Sequence, residues 1–239
     1  KYFPQNPKKF IIRGYEKAEK DFMESIKDNP NERSGSCALI ALIIDDMLYI
    51  SNCGNSYAIL SMNEGKNIKI LNKIHGISNK NEIKRVEENG GQIVLDKNGR
   101  ERILQGKLNI TRCFGFQQVK NEKFGGDPGI YISTPQITEC KINDKEFDFL
   151  ILASGCIFEK LSVDDCIKSI LNVNKEQKKL LISSIHQFAG ACVDMILKTS
   201  VVNGVEDNTT CIFIGFGNLE NFKNKESIIK ETNIPNEKN

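Results

Sequence analysis

Between residues 37 and 71 the chain alternates apolar runs with turn formers: 37–44, 47–52, 57–62 and 67–71 are separated by Asp45-Asp46, by Cys53-Gly54-Asn55-Ser56 and by Glu64-Gly65-Lys66. Short apolar runs joined by turns of roughly two to five residues predict strands that pair antiparallel with their neighbours, here a four-strand meander. Asp45 and Asp46 read as the solvated tip of a hairpin rather than as a metal pair. Upstream, Ile11, Tyr15, Ala18, Phe22 and Ile26 recur at helical spacing and predict an amphipathic helix. Downstream, Ile83 and Val86 predict a short helix, with Asn79 and Glu82 at capping-box spacing and Gly90-Gly91 as its stop. Residues 92–95 and 100–104 form a hairpin around Asn98-Gly99, and 108–112 continue the strand set. Residues 117–129 read as a mobile surface loop, and 131–135 with 136–142 as a strand.

The run 147–153 is apolar at every position except Asp148, which suits a strand buried on both faces. It empties into Ser154 and Gly155, where an enzyme would place a reactive side chain; taken alone, Gly155 is a glycine that lets the chain turn. Ser162 and Asp165 form a capping box for a helix with Cys166, Ile167, Ile170 and Leu171 inward, and a longer helix spans 176–198 with Leu181, Ile185, Phe188, Cys192 and Ile196 on one face. A last buried strand covers 210–216.

With 239 residues, 39% of them hydrophobic and 27% charged, the chain suits one globular domain, residues 1–216, followed by a polar tail, 217–239, that frays or orders on a partner. A net charge of +2 with no basic stripe gives no electrostatic case for nucleic acid. Eight scattered cysteines without a C-x-x-C pair point to a reducing compartment, and neither His75 nor His186 has a cysteine at zinc-ligand spacing. No apolar run approaches the ~18 residues of a membrane span, so a cytoplasmic protein without membrane insertion is expected.

Several stretches resemble the metal-dependent protein phosphatases of type 2C. Gly35-Ser36-Cys37-Ala38 is similar to the family's G-S-T-A segment, 52–58 to N-x-G-D-S-R-A, and 106–116 to G-x-L-A-V-S-R-A-F-G-D. Residues 149–159 resemble F-L-I-L-A-S-D-G-L-W-D, and 206–210 x-D-N-x-T. The resemblance runs over nearly all of residues 10–216. It implies an α+β fold, an α-β-β-α sandwich of two mainly antiparallel sheets flanked by helices, here without its N-terminal strands. It also implies hydrolysis of phosphoserine and phosphothreonine by a water activated between two Mg²⁺ or Mn²⁺ ions.

Such ions require hard oxygen ligands, chiefly carboxylates. The family's D-G-H-G-G segment has no counterpart in the chain. Asn55, Ile74, Phe116 and Gly155 stand where the family has acids, and only Asp207 matches a metal ligand by motif, with Glu159 keeping an acid nearby. Cys156 is too soft a ligand to replace the lost oxygens for magnesium. No cysteine is followed six residues later by the arginine that a cysteine-nucleophile phosphatase requires.

The expectation is therefore a pseudophosphatase: no catalytic residues, no bound cofactor, Asp207 and Glu159 as vestigial metal positions, and other proteins as partners. Docking would occur around Phe116, Phe158 and residues 117–129. The alternative is an active Mg²⁺- or Mn²⁺-dependent serine/threonine phosphatase. The turns at Asn55, Gly155 and Asp207 are expected to converge at one rim.

Overall fold

Asn6 accepts a hydrogen bond from the Lys9 amide and opens helix α1, Pro7–Ile26, with proline at the start of the first turn where its missing N–H costs nothing. The structure is a computed structural model and describes residues 5–224. In chain order come strands β1 (Gly35–Ser36), β2 (Ala38–Ile44), β3 (Met47–Cys53), β4 (Tyr57–Met62) and β5 (Asn67–Ile70), then α2 (Lys80–Glu88), β6 (Ile93–Leu95), β7 (Glu101–Ile103) and β8 (Phe114–Gly115). The short helix α3 (Gln117–Lys120) and a 3-10 turn, Glu122–Phe124, lead to β9 (Gln136–Lys141) and β10 (Phe147–Ala153), followed by α4 (Gly155–Phe158), α5 (Val163–Lys175), α6 (Ile185–Val202), β11 (Cys211–Gly215) and α7 (Leu219–Asn224).

The described residues form two compact units, one made of 5–56 and 72–139, the other of 57–71 and 140–224. The expected four-strand meander is therefore broken after its second strand: β2 and β3 pair in a three-strand sheet with β9, whereas β4 and β5 belong to a four-strand sheet in the order β11-β10-β4-β5. The break falls at Gly54. Its φ is +127°, and a β-carbon there would lie 2.2 Å from the Cys37 sulfur, so glycine alone lets the strand leave its neighbour so abruptly.

In the first unit the Tyr15 hydroxyl reaches the backbone and side-chain oxygens of Ser51, fastening α1 to β3. A second cluster gathers Val86, Ile103, Ile110, Cys113, Ile130 and Tyr131. Two expectations change. Residues 108–112 and 131–135 form no strand: 108–112 make single bridges, Leu108 to Ile103 and Ile110 to Gly76, and the two segments meet in one bridge, Arg112 to Ile132. The segment 117–129 carries helical turns with Gln117 and Lys120 buried; the Lys120 ammonium is held by Glu19 at 2.6 Å and by the Cys113 carbonyl at 2.6 Å. The Asn79 side chain does cap α2, but Glu82 turns away from the cap to bind two arginines, so no capping box forms there.

In the second unit β10 is central and all seven of its residues are buried, pairing antiparallel with β4 on one side and β11 on the other. Phe149, Ile151 and Ala153 on one face pack with Ile170, Phe188, Cys192 and Ile196 of α5 and α6. The Ser162–Asp165 capping box starts α5 as expected. The helix expected over 176–198 instead begins at Ile185, with Ser184 as its cap, and 176–182 form a separate closing turn. The polar tail expected from residue 217 begins with α7, whose Leu219 and Phe222 are buried in the core; the rest of that segment lies outside the described residues.

Candidate functional site

In the second unit the end of β10, the start of β4 and the start of β11 lie at one edge of the sheet, since Ala153 is registered with both Tyr57 and Cys211. Ser154 follows as the N-terminal cap of α4. Its amide donates to the Thr210 carbonyl and its hydroxyl accepts from the Thr210 amide, both at 3.0 Å, so the turn at Gly155 is fastened to the chain just after Asp207. Gly155 opens α4 and is buried. The Cys156 thiol donates to the Asn208 carbonyl at 3.0 Å, Ile157 points into the core, and Phe158 lies against Tyr57 with ring centroids 4.1 Å apart. Glu159 is exposed at the end of α4. Asp207 is exposed too, and its Oδ1 accepts from the adjacent Asn208 amide at 2.7 Å.

The remaining positions belong to the first unit. Gly54 and His75 are joined twice: the His75 amide donates to the Gly54 carbonyl at 3.0 Å, and the Gly54 amide donates to His75 Nδ1 at 3.3 Å. Asn55 and Ile74 flank this pair in sequence, and the Asn55 side chain accepts from the Cys37 thiol at 3.6 Å. Phe116 directly follows the strand residues that pair β8 with β1. Its amide donates to the Ser34 carbonyl, and its ring covers Gly35 so closely that a β-carbon on Gly35 would fall 2.0 Å from it. Phe116 adopts the left-handed conformation, φ 55° and ψ 52°, which aspartate and asparagine accept far more readily than an aromatic residue. Sequence reasoning considered His75 only as a zinc ligand, which it lacks the cysteine spacing to be, and gave it no role in the site; its signal there was its place next to Ile74.

His75 is buried. Burial first, and the charge of Arg112 next, hold its pKa down to about 4 from the ordinary 6.5, with Glu82 opposing. Its Nδ1 accepts a hydrogen bond, so protonation breaks a native contact. The unfolded chain takes up this proton near pH 6.5 and the folded chain only near 4. Stability held above pH 6.5 should therefore decline as pH falls to 4, by about 3 kcal/mol from this group. Urea unfolding at pH 7, 5.5 and 4 measures the slope, and His75→Gln should flatten it.

A family model described as Protein phosphatase 2C matches residues 1–205. The chain belongs to the protein phosphatase 2C family. Among relatives, it is 27% identical over 206 residues to probable protein phosphatase 2C 56 of Oryza sativa subsp. japonica, covering 86% of this chain and 51% of that protein. Its fold matches a serine-threonine phosphatase 2C from Toxoplasma gondii with a TM-score of 0.70 at 17% identity, over 90% of this chain and 69% of that one. It also matches a sex determining protein of C. elegans with a TM-score of 0.70 at 19% identity, over 89% and 47%. The type 2C fold of antiparallel sheets and helices expected from the sequence is thus observed. The chain spans about half the length of the relatives it matches in sequence, from 38% to 56% of the first three.

A type 2C reaction implies a pair of hard divalent ions, which bring four positive charges into one small space and need several carboxylates around them. Among the described residues of either unit, no three His, Cys, Asp or Glu side chains gather into a metal-binding group. At the β10 rim the available carboxylates are Asp207 and Glu159, both exposed, and Gly155 contributes no side-chain oxygen. This donor set does not fit two such ions. Among the described residues no helix is long and apolar enough to cross a membrane.

Proposed function

We propose that this member of the protein phosphatase 2C family is a pseudophosphatase: its fold serves as a protein-binding module, and it does not hydrolyse phosphate esters. The observation that carries this reading is the turn after β10. There the buried Gly155 stands at the motif position of an acid, while Ile157 goes to the core and the Cys156 thiol to the Asn208 carbonyl. The metal ions generate the nucleophile in this chemistry, so loss of their ligands removes the mechanism and not merely a fraction of the rate. The backbone at Phe116 supports the same reading, because it keeps a left-handed conformation suited to aspartate under a side chain that carries no oxygen. Other proteins are the partners in this reading, and the 117–129 segment, which presents Phe124 to solvent, is the docking element.

The test is calorimetric titration with Mn²⁺, paired with assays on phosphoserine and phosphothreonine peptides and on aryl phosphates, using the full-length protein. Millimolar Mn²⁺ should give no stoichiometric isotherm, and turnover should be indistinguishable between the native sequence and Asp207→Ala. Two bound ions, or a manganese-dependent rate abolished in Asp207→Ala, would establish the active serine/threonine phosphatase instead.

A further inference from the structure

Two of the strings compared above differ from this chain by a thiol: Cys37 stands where G-S-T-A has threonine, and Cys113 where S-R-A-F-G has alanine. The first unit brings these two positions together. Strands β1 and β8 pair antiparallel with Gly35 opposite Gly115 and Ser36 opposite Phe114, so the same register carried one residue further sets Cys37 opposite Cys113. The Phe116 amide donates to the Ser34 carbonyl at 2.8 Å, which makes 34/116 and 36/114 the hydrogen-bonded pairs and 37/113 a non-hydrogen-bonded one. Cys113 agrees with that parity. Its amide donates to the Ile132 carbonyl at 3.0 Å and its carbonyl accepts from the Lys120 ammonium at 2.6 Å, so neither bonds to the β1 side.

Cross-strand pairs of the non-hydrogen-bonded kind hold their Cα atoms about 4.5 Å apart, inside the range of roughly 4.4–6.8 Å that a disulfide bridges. Both side chains belong to one apolar cluster, Cys113 buried in it and Cys37 packed against it. A third thiol, Cys53, is near enough to feel both charges, but its register on β3 sets it opposite Ala38.

We infer that Cys37 and Cys113 form an oxidation site, a dithiol that hydrogen peroxide closes to an intramolecular disulfide joining the entry of β2 to the entry of β8. Cys37 is the half-buried member and meets the oxidant first. Its sulfur attacks the peroxide O–O bond, keeps one oxygen as a sulfenic acid and releases water. The Cys113 sulfur then attacks the Cys37 sulfur, forming the S–S bond and expelling that oxygen as a second water, so two thiols and one peroxide give one disulfide and two waters. Burial raises both thiols, Cys113 to about 12 against the opposing charge of Lys120, so closure is slow beside that of a catalytic thiol pair. Closure also removes the Cys37 S–H that donates to the Asn55 side chain at 3.6 Å, which carries the oxidation state to the turn bonded to His75.

The experiment uses the whole chain, reduced, freed of reductant and incubated folded with excess hydrogen peroxide, then blocked with N-ethylmaleimide in urea and digested for mass spectrometry. Two of the eight thiols should be lost, in one peptide pair joined through Cys37 and Cys113, and dithiothreitol should restore them. Cys113→Ala and Cys37→Thr each install the residue of the compared string, and circular dichroism checks that both are folded. The alanine variant should leave Cys37 as a sulfenic acid that dimedone captures, whereas the threonine variant should leave Cys113 reduced. Cys53→Ala should keep the cross-link. In the linked protein the Asn55 side-chain amide should shift in ¹⁵N spectra, an effect that Cys37→Thr abolishes. Survival of all eight thiols in the native sequence, a disulfide that uses Cys53 in place of either partner, or a Cys37–Cys113 link found only between two molecules would overturn the inference.

Discussion

Replacing Asp148 by alanine should destabilise the protein by about 3–5 kcal/mol, one of the two largest effects we expect from a single side chain. Asp148 lies in the central strand β10 with no solvent exposure, and both carboxylate oxygens are saturated. Oδ1 accepts from the Glu64 amide at 2.9 Å and the Asn218 side chain at 2.7 Å; Oδ2 accepts from the Gly65 amide and the Ser61 hydroxyl, each at 2.8 Å. Asn63, Glu64 and Gly65 all have positive φ, between 56° and 78°, and this left-handed turn aims successive amides at the carboxylate. The register between β10 and β4 slips between Phe147 and Phe149, which frees Asp148 from the ladder. One side chain therefore ties the β4–β5 turn and the approach to α7 to the middle strand. Alanine would leave buried amides without an acceptor, and asparagine would present donors to donors, at a cost smaller than alanine's by about 1 kcal/mol. Thermal unfolding followed by circular dichroism checks this: a midpoint lower by roughly 6–20 °C is expected for alanine. A shift under about 2 °C would mean that water or rearrangement satisfies the turn.

The second large effect is expected at Glu82, which is 4% exposed at the first turn of α2. Its carboxylate takes Nε and Nη2 of Arg112, Nη2 of Arg85 and the Thr111 hydroxyl. Burial pushes its pKa up, but the hydrogen bond and charge of Arg112, with help from Thr111 and Arg85, outweigh it and hold the group at about 2 against the ordinary 4.5. Glu82→Ala should cost about 3–5 kcal/mol, because two partly buried guanidinium groups would lose their counterion and Arg85 Nε already lacks a partner. The pH dependence carries its own signature. Because the folded pKa is depressed, the stability this group contributes is complete above pH 4.5 and is lost as pH falls to about 2, by about 3 kcal/mol. Glu82→Gln should lower stability at pH 7 and flatten this acid limb, while the slope assigned to His75 persists and extends to lower pH, because the Glu82 charge that raises the His75 pKa is removed. Chemical denaturation of both proteins from pH 7 to 2.5 measures the difference, and parallel curves would contradict it.

These two carboxylates mark the boundary between what the chain's order of residues determined and what tertiary structure decided. Patterns within one element were legible. The apolar run at 147–153 is a fully buried central strand, Ser162 and Asp165 cap α5 as their spacing requires, and Asn98-Gly99 turns the β6–β7 hairpin, because each depends on neighbours within a few residues. The family motifs were legible for the same reason, being contiguous strings, and the fastening of Ser154 to Thr210 follows from antiparallel pairing of two of them. Long-range choices were not. Periodicity says that 37–71 holds four strands but cannot say that Gly54 passes the last two to another sheet; the collision awaiting a β-carbon with Cys37 exists only once both are placed. Glu82 has the spacing of a cap, yet charge pairing with Arg112, 30 residues away, is the stronger attraction, and only the fold brings that partner near. Asp148 appeared as one acid in an apolar run, whereas its four donors lie far off in sequence, three of them between residues 61 and 65 and the fourth at Asn218. Leu219 and Phe222 read as part of a polar tail because two apolar residues give too little period to register, and their burial was decided by the space between β10 and α6.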